Sequence, residues 1–168
     1  MESSVIDATG EVPVILRPGG ITPRMVADVL GSVAVDEHVM KPLGEGEAAR
    51  SPGMKYRHYA PKAETVIVEG EAARVTAAIC ARYDAATAAG ARVVILGFDE
   101  RDYGARERVS LGSALRPQDA AARLFSALRE ADARGATLAR CEAVEAEGIG
   151  LAVMNRMGRA AGFHIERV

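Results

Sequence analysis

Between Pro52 and Pro61, the stretch SPGMKYRHYAP has a centre, Lys55-Tyr56-Arg57-His58-Tyr59, with no small or apolar residue in it. Cations and rings at that density could grip an anion together with a flat ring. In an extended segment Lys55, Arg57 and Tyr59 point one way while Tyr56 and His58 point the other, so one face can hold a ligand and the other can rest on protein. Pro52 and Pro61 stiffen both ends, and Gly53 permits a sharp turn. The same residues also suit a solvated basic linker whose tyrosines pack on a domain surface, and residue type alone leaves both readings open.

Two glycine-bearing turns are the other candidates. In Arg17-Pro18-Gly19-Gly20-Ile21-Thr22, an arginine at a strand end precedes glycines that allow close backbone approach and a helix N-terminus, an arrangement that suits phosphate. It equally suits a plain turn with an N-cap. Glu147-Gly148-Ile149-Gly150 lies between a strand and a helix like a dinucleotide loop, but the third glycine of G-x-G-x-x-G would fall at Val153 and no acidic residue ends a following strand. Asn155 and Arg156 on the helix after it read as a cap or surface contact. His164 and Glu166 alternate on a tail strand and read as structural, and His38 has no partner that the sequence can name. Cys80 and Cys141 stand apart, without C-x-x-C or nearby histidines, and read as buried apolar fillers; no metal site can be assembled.

The elements that must position these groups fall into two blocks. Residues 3–8 and 12–16 are short β-rich runs separated by Thr9-Gly10-Glu11, a hairpin signal. Thr22 and Pro23 then open a helix of about two turns that Gly31 closes. From Val33 to Ala63 no period persists, which marks a linker or a functional covering loop. After it come strand 64–69, a helix from Glu71 to Ala89 with Ala72, Val75, Ile79, Tyr83 and Ala86 on one stripe, strand 92–98 and strand 108–111. A helix opened by Arg116-Pro117 and closed by Gly135 follows, with strand 137–143, a helix from about Gly150 to Ala161 that turns Leu151, Met154, Met157 and Ala161 inward, and a short apolar tail. Strands spaced by amphipathic helices require right-handed crossovers and a mostly parallel sheet covered on both faces. The expected fold class is therefore α/β: a small Rossmann-like three-layer domain preceded by a β-β-α unit and a long linker.

At 168 residues the chain can hold one ordinary domain, or one domain plus a fragment of another. A formal net charge of −2 gives no global attraction to nucleic acid or to an anionic membrane. Any anion site must be local. Only three lysines occur, Lys41, Lys55 and Lys62, and two of them lie in or beside SPGMKYRHYAP. With no leader pattern and no apolar run near 18 residues, the expected location is the cytoplasm.

Taken together, ESSVIDATGEVPVILRPGGIT (residues 2–22), SPGMKYRHYAP and GIGLAVMNRMGRAAG (residues 148–162) resemble the Sua5 type of L-threonylcarbamoyladenylate synthase, the two-domain relative of the YrdC proteins. The resemblance covers essentially the whole chain. It implies three parts: residues 1–32 as the end of a YrdC-like catalytic domain, 33–63 as the interdomain linker, and 64–168 as the C-terminal Sua5 domain. In that family L-threonine, bicarbonate and ATP give threonylcarbamoyl-AMP and pyrophosphate, and the product feeds formation of N6-threonylcarbamoyladenosine in tRNA. The resemblance further implies that Ser3 belongs to the threonine-side pocket and Arg17 to the ATP phosphate region, while Lys55, Arg57, His58 and Tyr59 lie on the linker that covers the nucleotide. Ser4 stands where the family commonly has threonine, and keeps the hydroxyl. The family's upstream K-x-R and S-x-N motifs do not precede Ser3 here, which implies a chain inactive by itself, with no complete catalytic set and no ligand for the Mg2+ expected in the full-length enzyme. Exposed strands of the first block could also support self-association. The competing expectation is a non-catalytic module that binds a nucleotide or partner at the carboxyl ends of its strands.

Overall fold

The computed structural model describes residues 3–44, 46–51 and 61–168. At the N-terminus β1 (Val5–Asp7) pairs antiparallel with β2 (Val14–Arg17), as the hairpin signal requires. The Asp7 carboxylate accepts bonds from the Thr9 amide at 3.0 Å and the Thr9 hydroxyl at 2.6 Å, which holds the turn. Helix α1 (Pro23–Leu30) begins where the Thr22 hydroxyl accepts a bond from the Met25 amide, with proline at its first position and Gly31 at its end. Two short elements then appear where the sequence shows no period: β3 (Ala34–Val35), parallel to β2, and a 3-10 turn over Glu37–Val39. Pieces of two and three residues are too short to carry a period, and β3 exists only because β2 lies beside it.

The second block is a five-stranded sheet ordered β6-β5-β7-β4-β8, every described pair parallel. Its strands are β4 (Glu64–Glu69), β5 (Val93–Gly97), β6 (Arg108–Ser110), β7 (Leu138–Glu142) and β8 (Ile165–Arg167). The unbroken run Val93-Val94-Ile95-Leu96 is what a strand covered on both faces demands, and all four residues are buried. From β4 to β5 the chain crosses the sheet in one direction; from β6 through β7 to β8 it returns. Right-handed crossovers therefore put α2 (Ala72–Ala88) on one face and both α3 (Pro117–Ala133) and α4 (Ile149–Ala160) on the other. On the first face Val75 and Ile79 pack with Val68, Ile95 and Tyr103. On the second, Leu124, Leu128, Val153, Met154 and Met157 pack over Ile67, Val94, Leu96 and Cys141. The expected three-layer Rossmann-like domain is thus present. Cys141 is buried as expected, its thiol pushed up to about 12 by burial, whereas Cys80 on α2 is only half-buried, packed at the margin of the core on that face.

Ligands of open parallel sheets sit at the carboxyl ends of strands where the crossover direction reverses. Here that crevice is filled from within. The Tyr103 side chain lies against Gly97 so closely that a Cβ there would collide with its hydroxyl and ring. The Tyr103 hydroxyl donates to Glu142 Oε2 at 2.6 Å, and Arg101 Nε donates to Oε1 at 2.8 Å, at the end of β7. Burial, and then the bond to Glu142, push the Tyr103 phenol well above its ordinary range. A group raised on folding contributes stability that is whole below its unfolded pKa, about 10 for tyrosine, and is lost as pH climbs beyond it. Tyr103→Phe should therefore lower unfolding free energy by about 1–3 kcal/mol at neutral pH, because Glu142 Oε2 loses its donor. The gap should narrow above about pH 10, as urea titrations at several pH values would show.

Candidate functional site

The arginine-bearing turn after β2, a sequence-derived phosphate candidate, lies within the described residues, and its geometry is set from three sides. Ser4 Oγ donates to the Ile21 carbonyl at 2.7 Å and accepts from the Ile21 amide at 3.2 Å, which fastens the turn to the residue just before β1. Arg17 Nε donates to the Ser3 carbonyl at 3.1 Å, so the two residues expected on the phosphate and threonine sides are brought together. Pro18 and Gly19 are buried; Ser3 and Gly20 are exposed. From below, Arg156 Nη1 on α4 donates to the Pro18 carbonyl at 3.0 Å and to Ala152 of its own helix at 3.0 Å.

Arg156 and Asn155 correct the sequence reading. They are neither a cap nor a surface contact: Asn155 is 3% exposed and Arg156 8%. Asn155 Nδ2 donates to the Val39 carbonyl at 2.6 Å, and Arg159 Nη2 to the His38 carbonyl at 3.0 Å. At 100° per residue, Ala152, Asn155, Arg156 and Arg159 form one stripe of α4, and Val153, Met154, Met157 and Ala160 the opposite one. The apolar stripe faces the sheet. The polar stripe looks solvent-facing in sequence and is instead covered by the N-terminal block folding back on it.

The approach to the linker carries a second network. His38, partnerless in the sequence, has Nδ1 2.9 Å from Asp36 Oδ1 and Nε2 2.9 Å from Glu47 Oε2. Arg50 bridges Asp36 at 3.1 Å and Asp7 on β1 at 2.5 Å. Asp36, Glu37, His38, Leu43, Glu47 and Arg50 line a cleft of about 410 Å3. Lys55, Arg57, His58 and Tyr59 lie outside the described residues. Among those that are described, no group of three His, Cys, Asp or Glu side chains could hold a metal ion. His164 and Glu166 are structural, as expected: Glu166 pairs with Arg82 at 2.6 Å and Arg140 at 3.1 Å. Gly150 serves its own fold, since a Cβ there would collide with the Glu145 carbonyl oxygen.

A family model described as threonylcarbamoyl-AMP synthase, C-terminal domain, matches residues 21–162. The threonylcarbamoyl-AMP synthase of Pyrococcus abyssi is 39% identical over 169 residues, covering 100% of this chain and 48% of that protein. That of Bacillus subtilis is 37% identical over 169 residues, with 99% and 47% covered. The crystal structure of P. abyssi Sua5 complexed with L-threonine superposes with a TM-score of 0.89 at 39% identity, over 99% of this chain and 47% of the other. The chain belongs to the Sua5 threonylcarbamoyl-AMP synthase family. It spans about half the length of the curated relatives it matches. A structure of the C-terminal Sua5 domain from Pyrococcus horikoshii, 36% identical with a TM-score of 0.53, is covered over its whole length by 65% of this chain.

Two outcomes test the geometry of this Sua5 segment. Burial raises the Asp36 carboxyl, but the His38 amide and ring and the Arg50 guanidinium outweigh it, leaving the group below its ordinary value. A group lowered on folding contributes stability above its unfolded pKa that is lost as pH falls through the folded one. Asp36→Asn should therefore melt a few degrees below the parent at pH 7, equivalent to about 1–2 kcal/mol, and the difference should shrink progressively as pH falls below about 4. Gly150→Ala should cost roughly 1–3 kcal/mol or more in urea unfolding, since the Glu145 backbone must move to admit the methyl.

Proposed function

We propose that this chain is the C-terminal part of a threonylcarbamoyl-AMP synthase, joining L-threonine, bicarbonate and ATP into threonylcarbamoyl-AMP, with release of pyrophosphate and water, for the N6-threonylcarbamoyladenosine modification of tRNA. The observation that carries this reading is the alignment of the whole chain with about half of two curated synthases. Residues 1–32 are then the closing part of the catalytic domain, 33–63 the interdomain linker and 64–168 the Sua5 domain. Arg17 lies in the ATP phosphate region, where its guanidinium offsets the charge that builds as a threonylcarbamoyl carboxylate attacks the α-phosphorus and pyrophosphate leaves. Ser3 belongs to the threonine side. Lys55, Arg57, His58 and Tyr59 belong to the linker that covers the nucleotide and shields a mixed anhydride from water. ATP, threonine and bicarbonate are substrates, and the reaction places the enzyme in the cytoplasm with its tRNA pathway.

The exposed surface of the N-terminal block supports the assignment of residues 1–32 to a larger body. Met25, Val29 and Leu30 on α1, and Ile21 just before it, are all more than half exposed. Contiguous apolar surface of this kind marks an interface. Among the described residues β1 is the edge strand of its sheet, where a further strand or a second copy could pair.

The reading is tested by adding the N-terminal half of a Sua5 synthase as a separate chain and following pyrophosphate release that depends on ATP, threonine and bicarbonate together. Turnover is expected from the pair and none from this chain alone. Arg17→Ala should reduce the paired rate on the order of a hundredfold. Activity from the 168-residue chain alone would overturn the division of labour, and an inert but folded pair would overturn the assignment.

A further inference from the structure

The C-terminal domain needs a task, because the crevice where an open parallel sheet would take a small ligand is occupied by Tyr103, Arg101 and Glu142. Its remaining specific feature is the polar stripe of α4. Three side chains within five residues of that helix reach across to three backbone carbonyls: Arg156 to Pro18, Asn155 to Val39 and Arg159 to His38. Two of those carbonyls belong to the 3-10 turn in the first part of the linker, and the third to the Arg17–Thr22 turn. Main-chain acceptors are offered by any sequence, whereas the donors must be these lengths and geometries. The cost of burying them is high: desolvation lowers the Arg159 pKa, and Asn155 and Arg156 are more than nine-tenths buried. Core packing would be served more cheaply by apolar residues. Specific placement is what the polar version adds.

We propose that Asn155, Arg156 and Arg159 are positioning residues: α4 is a clamp that fixes the Arg17–Thr22 turn relative to the start of the linker, and the ligand of the Sua5 domain is the chain's own N-terminal block. The inference rests on the proposed synthase reading for its functional meaning, because the two clamped segments are those assigned to the ATP phosphates and to the covering linker. Arg17 and the linker start lie on separate strands and turns, joined otherwise through the three-stranded sheet of β1, β2 and β3. The helix contacts both at once. A shift of either by even an ångström would misalign the groups on them, and positional errors of that size cost catalysis heavily.

Site-resolved hydrogen exchange on the 168-residue chain tests the clamp without any turnover. Asn155→Asp replaces a donor by an acceptor of the same shape; it should speed exchange of the Val39 and Met40 amides, which bond to Asp36 and Glu37, about tenfold. Arg156→Met should do the same at Ile21 and Met25, whose amides face Ser4 and Thr22. Exchange of β5 and β7 should not change, and Arg156→Lys, which keeps a donor, should restore much of the protection. Unchanged exchange at all four amides, or an equal loss throughout β5 and β7, overturns the clamp. In the two-chain assay both variants should raise KM for ATP more than they lower kcat; an equal loss of kcat and kcat/KM, or none, would overturn the positioning role. An inert pair would count against the synthase reading alone, since the exchange arm judges the clamp independently.

Discussion

Helix α4 must satisfy two partners at once. One stripe supplies Val153, Met154 and Met157 to the core over the sheet, and the other is covered by residues that precede it by more than a hundred positions. Where a helix is covered on both sides, polar side chains lose water and are costly unless they are paired, so the donors on the covered stripe need acceptors in the segment that covers them. The carbonyls of Pro18, His38 and Val39 provide them. Because those carbonyls belong to a turn and a 3-10 segment, groups not already used up by a long ladder, they are free to accept. The two blocks of the chain are held to one another through this helix.

The sheet beneath α4 is conventional in its crossovers and unusual in what occupies its ligand edge. Parallel strands with helices on both faces produce a crevice at the reversal of direction whether or not a ligand uses it. A buried carboxylate at the end of β7 would be costly there unless paired, and Arg101 and Tyr103 reach back from the loop after β5 to pair it. The result is a rigid platform.

At the other side of the N-terminal block, Asp36 acts as a hub. It accepts from the His38 amide and lies against the His38 ring and the Arg50 guanidinium, while Arg50 reaches on to Asp7 in β1. Each contact is partly exposed and individually modest. Jointly they tie residues 36–50 to β1, so the chain enters residues 52–60 from a fixed point.

Much of the architecture is legible in the linear chain because it depends on local rules. Thr22-Pro23 opens α1, Arg116-Pro117 opens α3, Gly135 closes it, and the unbroken Val93–Leu96 run declares a strand covered twice; each follows from backbone sterics or from a period spanning a few residues. The family, too, is legible, since SPGMKYRHYAP and ILRPGGIT are contiguous motifs. Arg17 and Ser3 could be named from sequence, but not their contact through the Ser3 carbonyl. The burial of Asn155 and Arg156 and the short β3 could not be read, because each is decided by a segment distant along the chain: 138 positions separate Arg156 from Pro18, and Ala34 pairs with Val14. The partners of His38, Asp36 and Glu47, are near in sequence, but they lie in an aperiodic stretch whose path only the fold decides. A side chain's type and period state what it can bond; only the folding of one block onto another decides whether its face meets water or a carbonyl.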